Sequence, residues 1–170
     1  LYQKGRLPQQ AVFLDSPMAI GANAIYSHFQ EQLEIAGGVS IEPQPNGRHP
    51  IERWLPILKS TPTAEESMTI NRFKSGVIII AGSGMCNGGR ILHHFKHNLW
   101  REECHLVIPG FQARGTLGRA IVDGARTVKL MHQRIAVNAQ VHTLGGFSAH
   151  AGQSQLIERG SHLHPRPEPH

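Results

Sequence analysis

The segment GVIIIAGSGMCNGGRILHHFKHNL, residues 76–99, constrains the fold more than any other part of the chain. Its β-branched run from Val77 to Ile80 has the length and composition of a buried strand. Gly82 to Gly89 is glycine-rich and reads as a turn, while Arg90 to Leu99 carries Ile91, Leu92, Phe95 and Leu99 at helical spacing. A strand, a tight glycine turn and a helix in direct succession form the repeating unit of a parallel sheet covered by helices.

The same order recurs on both sides. The apolar run Ala11 to Asp15 is followed by Ser-Pro and then by Ile20, Ala24, Ile25 and Phe29 at a helical period. Cys104 to Ile108 is a further strand that meets a second glycine turn, and Thr116 to Val122 is a helix stopped by Gly124. Thr63 and Glu66 stand at capping-box spacing and predict a helix through Phe73. Val128 to Leu130 and Ile135 to Val141 are expected to form a hairpin with Met131 to Arg134 as its turn. Ala151 to Arg159 is expected as a short helix, Gly37 to Pro50 as a loop by composition, and SHLHPRPEPH as an extended tail. The expected fold class is therefore layered α/β, a mainly parallel sheet with flanking helices and a hairpin near the C-terminal end.

Composition limits the rest. With 170 residues, 39% of them hydrophobic and 6% aromatic, the chain can bury one moderate core, so one compact domain is expected. An excess of 17 Lys+Arg over 12 Asp+Glu, with 12 His, suits a phosphate-bearing partner. Cys86 and Cys104 stand in or beside apolar segments and suggest reduced thiols and a cytoplasmic setting. The longest apolar run, Val77 to Ala81, is far short of a membrane span. The start, LYQKGRLPQQ, has neither the order of a signal peptide nor an initiating Met, so the chain is expected to be part of something longer.

Several segments carry chemistry. GSGMCNGG offers backbone N–H groups that a phosphate can approach closely, with Ser83, Gly84 and Gly88 as candidates and a helix start behind them. The spacing is neither the dinucleotide fingerprint nor the P-loop, so a nucleotide-using enzyme is a third-rank reading; a purely structural turn also stays open. PGFQARGTLGR adds glycines together with Arg114 and Arg119, whose planar guanidinium groups suit phosphate oxygens. Two such loops on successive parallel strands share one sheet edge, where ligands sit in folds of this kind.

The histidines divide into groups. His93 and His97 share a helix face at metal-pair spacing, but the Glu of an HExxH site is absent, so no metal is expected there. His162, His164 and His170 belong to the expected tail. His150 differs, because GFSAHAGQ places it after a turn beside the hydroxyl of Ser148. Cys86, in a glycine loop at a helix start, could have a lowered pKa, although the sequence places no base for it. Asp15 is expected to accept turn hydrogen bonds before Pro17.

Taken in order, FLDSPMA, TPTAEES, IIIAGSGMCNGGRILHH, GFQARGTLGR and GGFSAHAGQ resemble the β-CASP branch of the metallo-β-lactamase superfamily, the nucleic-acid-processing nucleases. The resemblance runs from about Ala11 to Leu156. It implies a cap domain over residues 1–146, the first residues of the returning metallo-β-lactamase segment over 147–160, and a tail over 161–170. It also implies RNA as the partner, held in the cleft between the cap and a metallo-β-lactamase domain that this chain lacks. In such enzymes two zinc ions, held by that other domain, activate a water for attack on phosphorus. The histidine of the family's SAH segment corresponds to His150, as a general acid or a hydrogen-bond donor to the phosphate. The family's HxHxDH metal motif, its acidic motif before the cap and its later HGE segment do not occur here, so no metal is expected in this chain and it alone is expected to be inactive. A non-catalytic phosphate- or RNA-binding α/β module is the alternative.

Overall fold

A computed structural model describes residues 1–28, 55–145 and 153–161. After a short 3-10 turn at Tyr2–Lys4, β1 (Ala11–Leu14) runs into α1 (Pro17–His28). Then come β2 (Leu58–Ser60), α2 (Ala64–Thr69) with a 3-10 turn at Ile70–Arg72, β3 (Val77–Ile80), α3 (Ile91–Asn98), β4 (His105–Ile108) and α4 (Leu117–Val122). The C-terminal part adds β5 (Thr127–Leu130), β6 (Gln133–Ala136), β7 (Gln140–Thr143) and α5 (Gln153–Ser161). No helix among the described residues is long and apolar enough to cross a membrane.

Strand β1 is the centre of a parallel sheet ordered β2-β1-β3, with Phe13 opposite Lys59 on one side and Ile79 on the other. All four residues of β1 are buried, as a strand flanked on both edges requires. Strands β4 and β7 pair in parallel, Leu106 opposite Val141. The layered α/β class with parallel pairing is thus present as expected.

Local signals set the helix starts. Thr63 Oγ1 accepts from the Glu66 N–H at 3.2 Å and the Glu66 carboxylate accepts from the Thr63 N–H at 2.9 Å, a complete capping box for α2. At α4, Thr116 Oγ1 accepts from the Arg119 N–H at 3.2 Å.

The hairpin departs from expectation. Its turn is two residues, Met131 and His132, with φ of 46° and 65°, so it has the positive-φ pair of a type I′ turn without the glycine that usually supplies it. The expected strand from Ile135 to Val141 is also broken in two. Asn138 and Ala139 both donate their N–H groups to the Leu99 carbonyl, at 2.8 and 2.9 Å, drawing the chain onto the end of α3. Gln140 N–H then donates to Cys104 O at 2.9 Å and opens β7 beside β4.

Two apolar clusters form the core. Phe95, Leu99, Ile121, Val128 and Leu130 centre one of them; Ala11, Phe13 and Ile70 centre the other, where Phe13 and Phe73 pack with ring centroids 5.2 Å apart. The loop expected at Gly37 to Pro50 and the tail lie outside the described residues.

Candidate nucleic-acid interface

The glycine loop after β3 and the one after β4 are fastened to each other. Gly118 N–H donates to Met85 O at 3.1 Å, Leu117 N–H to Asn87 Oδ1 at 2.9 Å, and the buried Gln112 donates from Nε2 to Gly84 O at 2.8 Å. A Cβ at Gly118 would overlap the Gln112 amide, which would have to move from its place between the loops. The two loops therefore form one continuous lip after the carboxyl ends of β3 and β4, but these strands belong to different sheets, β2-β1-β3 and β4-β7, so the loops do not share the single sheet edge expected of them.

The lip leaves room for a ligand. A Cβ built at Gly84, Gly88, Gly110 or Gly115 meets no heavy atom within 4 Å, so open space borders the backbone at each. Gly84 is exposed, and Ser83 and Gly88 are half-buried. Gly89, at φ 73°, lies so close to the start of the loop that a Cβ would sit 2.8 Å from Gly82 O. Arg114 is exposed, and the Asp123 carboxyl is held below its usual range by the hydrogen bond from Arg119 first and only then by the nearby charges of Arg119 and Arg114. Arg119 is more committed, giving Nε to Asp123 Oδ2 at 2.9 Å and its terminal nitrogen to Oδ1 at 2.8 Å. Ser148 and His150 lie outside the described residues.

Behind the lip stands a buried polar cluster that sequence reasoning missed. Asp15 is 0% exposed and does not accept the expected turn hydrogen bonds; Ser16 takes that part, its hydroxyl accepting from Ala19 N–H. Asp15 Oδ1 instead accepts from Thr61 Oγ1 and from Arg90, each at 2.7 Å. Its Oδ2 accepts from Ser67 Oγ at 2.7 Å and from His94 Nε2 at 2.6 Å. Burial pushes the Asp15 carboxyl up, but the hydrogen bonds from Ser67, Thr61, His94 and Arg90 together outweigh it and hold the pKa below the usual value. Arg90 also donates to the carbonyls of Thr61 and Pro62, and so ties the last residue of the glycine loop to the segment between β2 and α2.

One signal for this cluster was present in the sequence. Arg90 and His94 are four residues apart and thus on one helix face, next to the apolar Phe95, and two polar side chains so placed call for a buried partner. His94, not the pair His93 and His97, is the histidine of α3 with a structural task. Cys86 also departs from the low-pKa reading: it is buried in an apolar cluster, and burial pushes its thiol up. Among the described residues, no three His, Cys, Asp or Glu side chains gather as a metal ion would require. The described residues therefore do not fit zinc.

Parallel strand pairs with helices between them, and two joined glycine loops after β3 and β4, define an α/β domain. Residues 1–121 match the Beta-Casp domain family, and residues 134–167 match the Zn-dependent metallo-hydrolase RNA specificity domain family. The chain belongs to the β-CASP branch of the metallo-β-lactamase superfamily. It is 37% identical over 164 residues to the ribonuclease TTHA0252 of Thermus thermophilus, covering 93% of this chain and 36% of that protein. It is 30% identical over 171 residues to the transcription termination factor FttA of Methanosarcina mazei, covering 98% of this chain and 26% of the relative. The FttA of Thermococcus kodakarensis is 36% identical over 118 residues, 66% of this chain and 18% of the relative. The chain thus spans little more than a third of the ribonuclease and less of the termination factors.

Proposed function

We propose that the chain is the β-CASP portion of a zinc-dependent ribonuclease of the metallo-β-lactamase fold, which hydrolyses RNA phosphodiester bonds. In this reading residues 1–146 are the cap, 147–160 begin the returning metallo-β-lactamase segment and 161–170 are a tail. The partners are RNA and the metallo-β-lactamase domain of the same protein. That domain holds two zinc ions, and this portion holds none. The name of the second matching family and that of the Thermus relative support the zinc and ribonuclease assignments. The free thiols of Cys86 and Cys104 fit a cytoplasmic setting.

The observation that carries the RNA assignment is the fused lip, where open space borders exposed backbone beside an exposed arginine. RNA phosphates lie against Ser83, Gly84 and Gly88, with Arg114 as the principal cation. Arg119 contributes through the N–H donors that its pairing with Asp123 leaves over, and Ser148 adds a hydroxyl. His150 meets the scissile phosphate as general acid or hydrogen-bond donor.

The test is binding of single-stranded RNA across a salt series. Wild-type chain is expected to bind with an affinity that falls as salt rises, and Arg114→Ala to lower both the affinity and, by about 0.7 for one phosphate contact, the slope of log K against log salt. Absence of binding even at low salt would remove RNA from this surface.

A further inference from the structure

Among the described phenylalanines, Phe13 and Phe95 are buried in the core and Phe73 packs against it, whereas Phe111 is 72% exposed. A lone exposed apolar side chain on a surface needs no explanation by itself. The setting of this one is unusual, because its main chain is fastened while its ring stands free. Gln112, buried beside it, donates from Nε2 to Phe111 O at 3.0 Å as well as to Gly84 O at 2.8 Å, so the residue bearing the ring is tied to both glycine loops. On one side Gly110 borders open space, and on the other Ala113 N–H is held by Met85 Sδ at 3.2 Å, with the exposed Arg114 following.

An aromatic face on a fixed backbone, next to an exposed guanidinium and to glycines open to phosphate, is the combination that grips single-stranded nucleic acid. We infer that Phe111 is a stacking platform for one unpaired nucleobase of the RNA whose phosphates lie along the lip. The inference rests on the RNA reading of the lip and adds to it a source of strand-state specificity. In an A-form duplex the bases are already stacked on one another and shielded, so a ring at this position discriminates in favour of single strands. Arg114 and the glycines hold the backbone whatever the sequence; Phe111 responds to the presence of a base.

The test compares, at one salt concentration, a single-stranded RNA of about eight nucleotides, close to the site size of small single-strand binders, with an abasic ribose-phosphate oligomer of equal length. Wild-type chain is expected to prefer the base-bearing oligomer by on the order of tenfold. Phe111→Ala is expected to erase that preference while leaving affinity for the abasic oligomer unchanged, and Phe111→Trp to keep it. Arg114→Ala weakens both oligomers alike. Equal wild-type affinity for the two oligomers, or Phe111→Ala binding RNA as wild type does, overturns the stacking role while the phosphate reading stands. Binding of neither oligomer removes the RNA reading itself and the platform with it. Because the ring is exposed, Phe111→Ala should melt as wild type does; a lowered melting temperature with unchanged RNA preference would assign the ring to packing and count against the platform.

Discussion

Asp15 is the residue on which the parts of this fold converge. Its carboxylate takes hydrogen bonds from four side chains, contributed by α2, α3 and the segments just before each. Removing its charge leaves the Arg90 guanidinium without its anion, a change that costs about 3–5 kcal/mol when a buried pair is broken. Asp15→Asn should therefore lower the stability measured by denaturant titration at neutral pH by that order. The pH dependence has a definite sign. With the folded pKa below the unfolded one, the stabilisation is complete above the unfolded value, about 4, and is lost as pH falls through the folded value. The gap between wild type and Asp15→Asn should thus narrow below about pH 4; a gap that stays constant down to about pH 2 would show that ionisation of Asp15 is not its source. Little of this was legible in the sequence. Thr61 and His94 are 46 and 79 residues away from Asp15 along the chain, and nothing local to DSP announces them. Only Arg90 and His94, four residues apart at the start of α3, pointed to a buried partner, without saying which.

At the scale of elements, legibility followed the range of the forces. The capping box of α2, the helix beginning after Thr116 and the β-branched strand β3 are decided by residues within a few positions of one another, and each lies where the sequence puts it. β2, with a single apolar residue in Leu-Lys-Ser, carries no period of its own; pairing with β1 makes it a strand. The break between β6 and β7 is equally non-local, since a carbonyl at the end of α3 draws the chain aside. The hairpin turn offers a direct check. Met131 and His132 both sit at positive φ, a conformation that costs a residue with a side chain roughly 1–2 kcal/mol. Replacing the pair with Asn-Gly, as Met131→Asn with His132→Gly, should raise the stability by about 1–2 kcal/mol in thermal unfolding. A fall in stability would mean that the Met131 side chain contributes more than its turn geometry loses.

At the scale of the whole molecule, the two apolar clusters and the Asp15 cluster behave as one arrangement. β1 contributes to one apolar cluster, α3 to the other, and the hydrogen bond between Asp15 and His94 spans them. The family and the layered fold were legible as five short segments in fixed order, because each marks a turn or helix start that the architecture needs. Of the candidate site, the two glycine loops were legible as turns after strands, but not that their strands lie in different sheets or that Arg119 is turned toward Asp123; Phe111 went unremarked because an aromatic residue inside a glycine loop has no periodicity to betray its exposure. In the function proposed for the parent enzyme, His150 is a general acid or hydrogen-bond donor to the scissile phosphate. His150→Ala there should lower turnover by about 10²- to 10⁴-fold, as loss of a general acid does, with little change in RNA affinity or zinc content. Unchanged turnover would remove His150 from the chemistry.

The joining of the two loops through Gly84, Met85, Asn87, Gln112, Leu117 and Gly118 has a thermodynamic consequence. A binding edge made of separate, loosely held loops must surrender conformational entropy when a ligand settles on it. Here the two loops are already one assembled edge, so in the proposed function most of the ordering that remains belongs to the RNA.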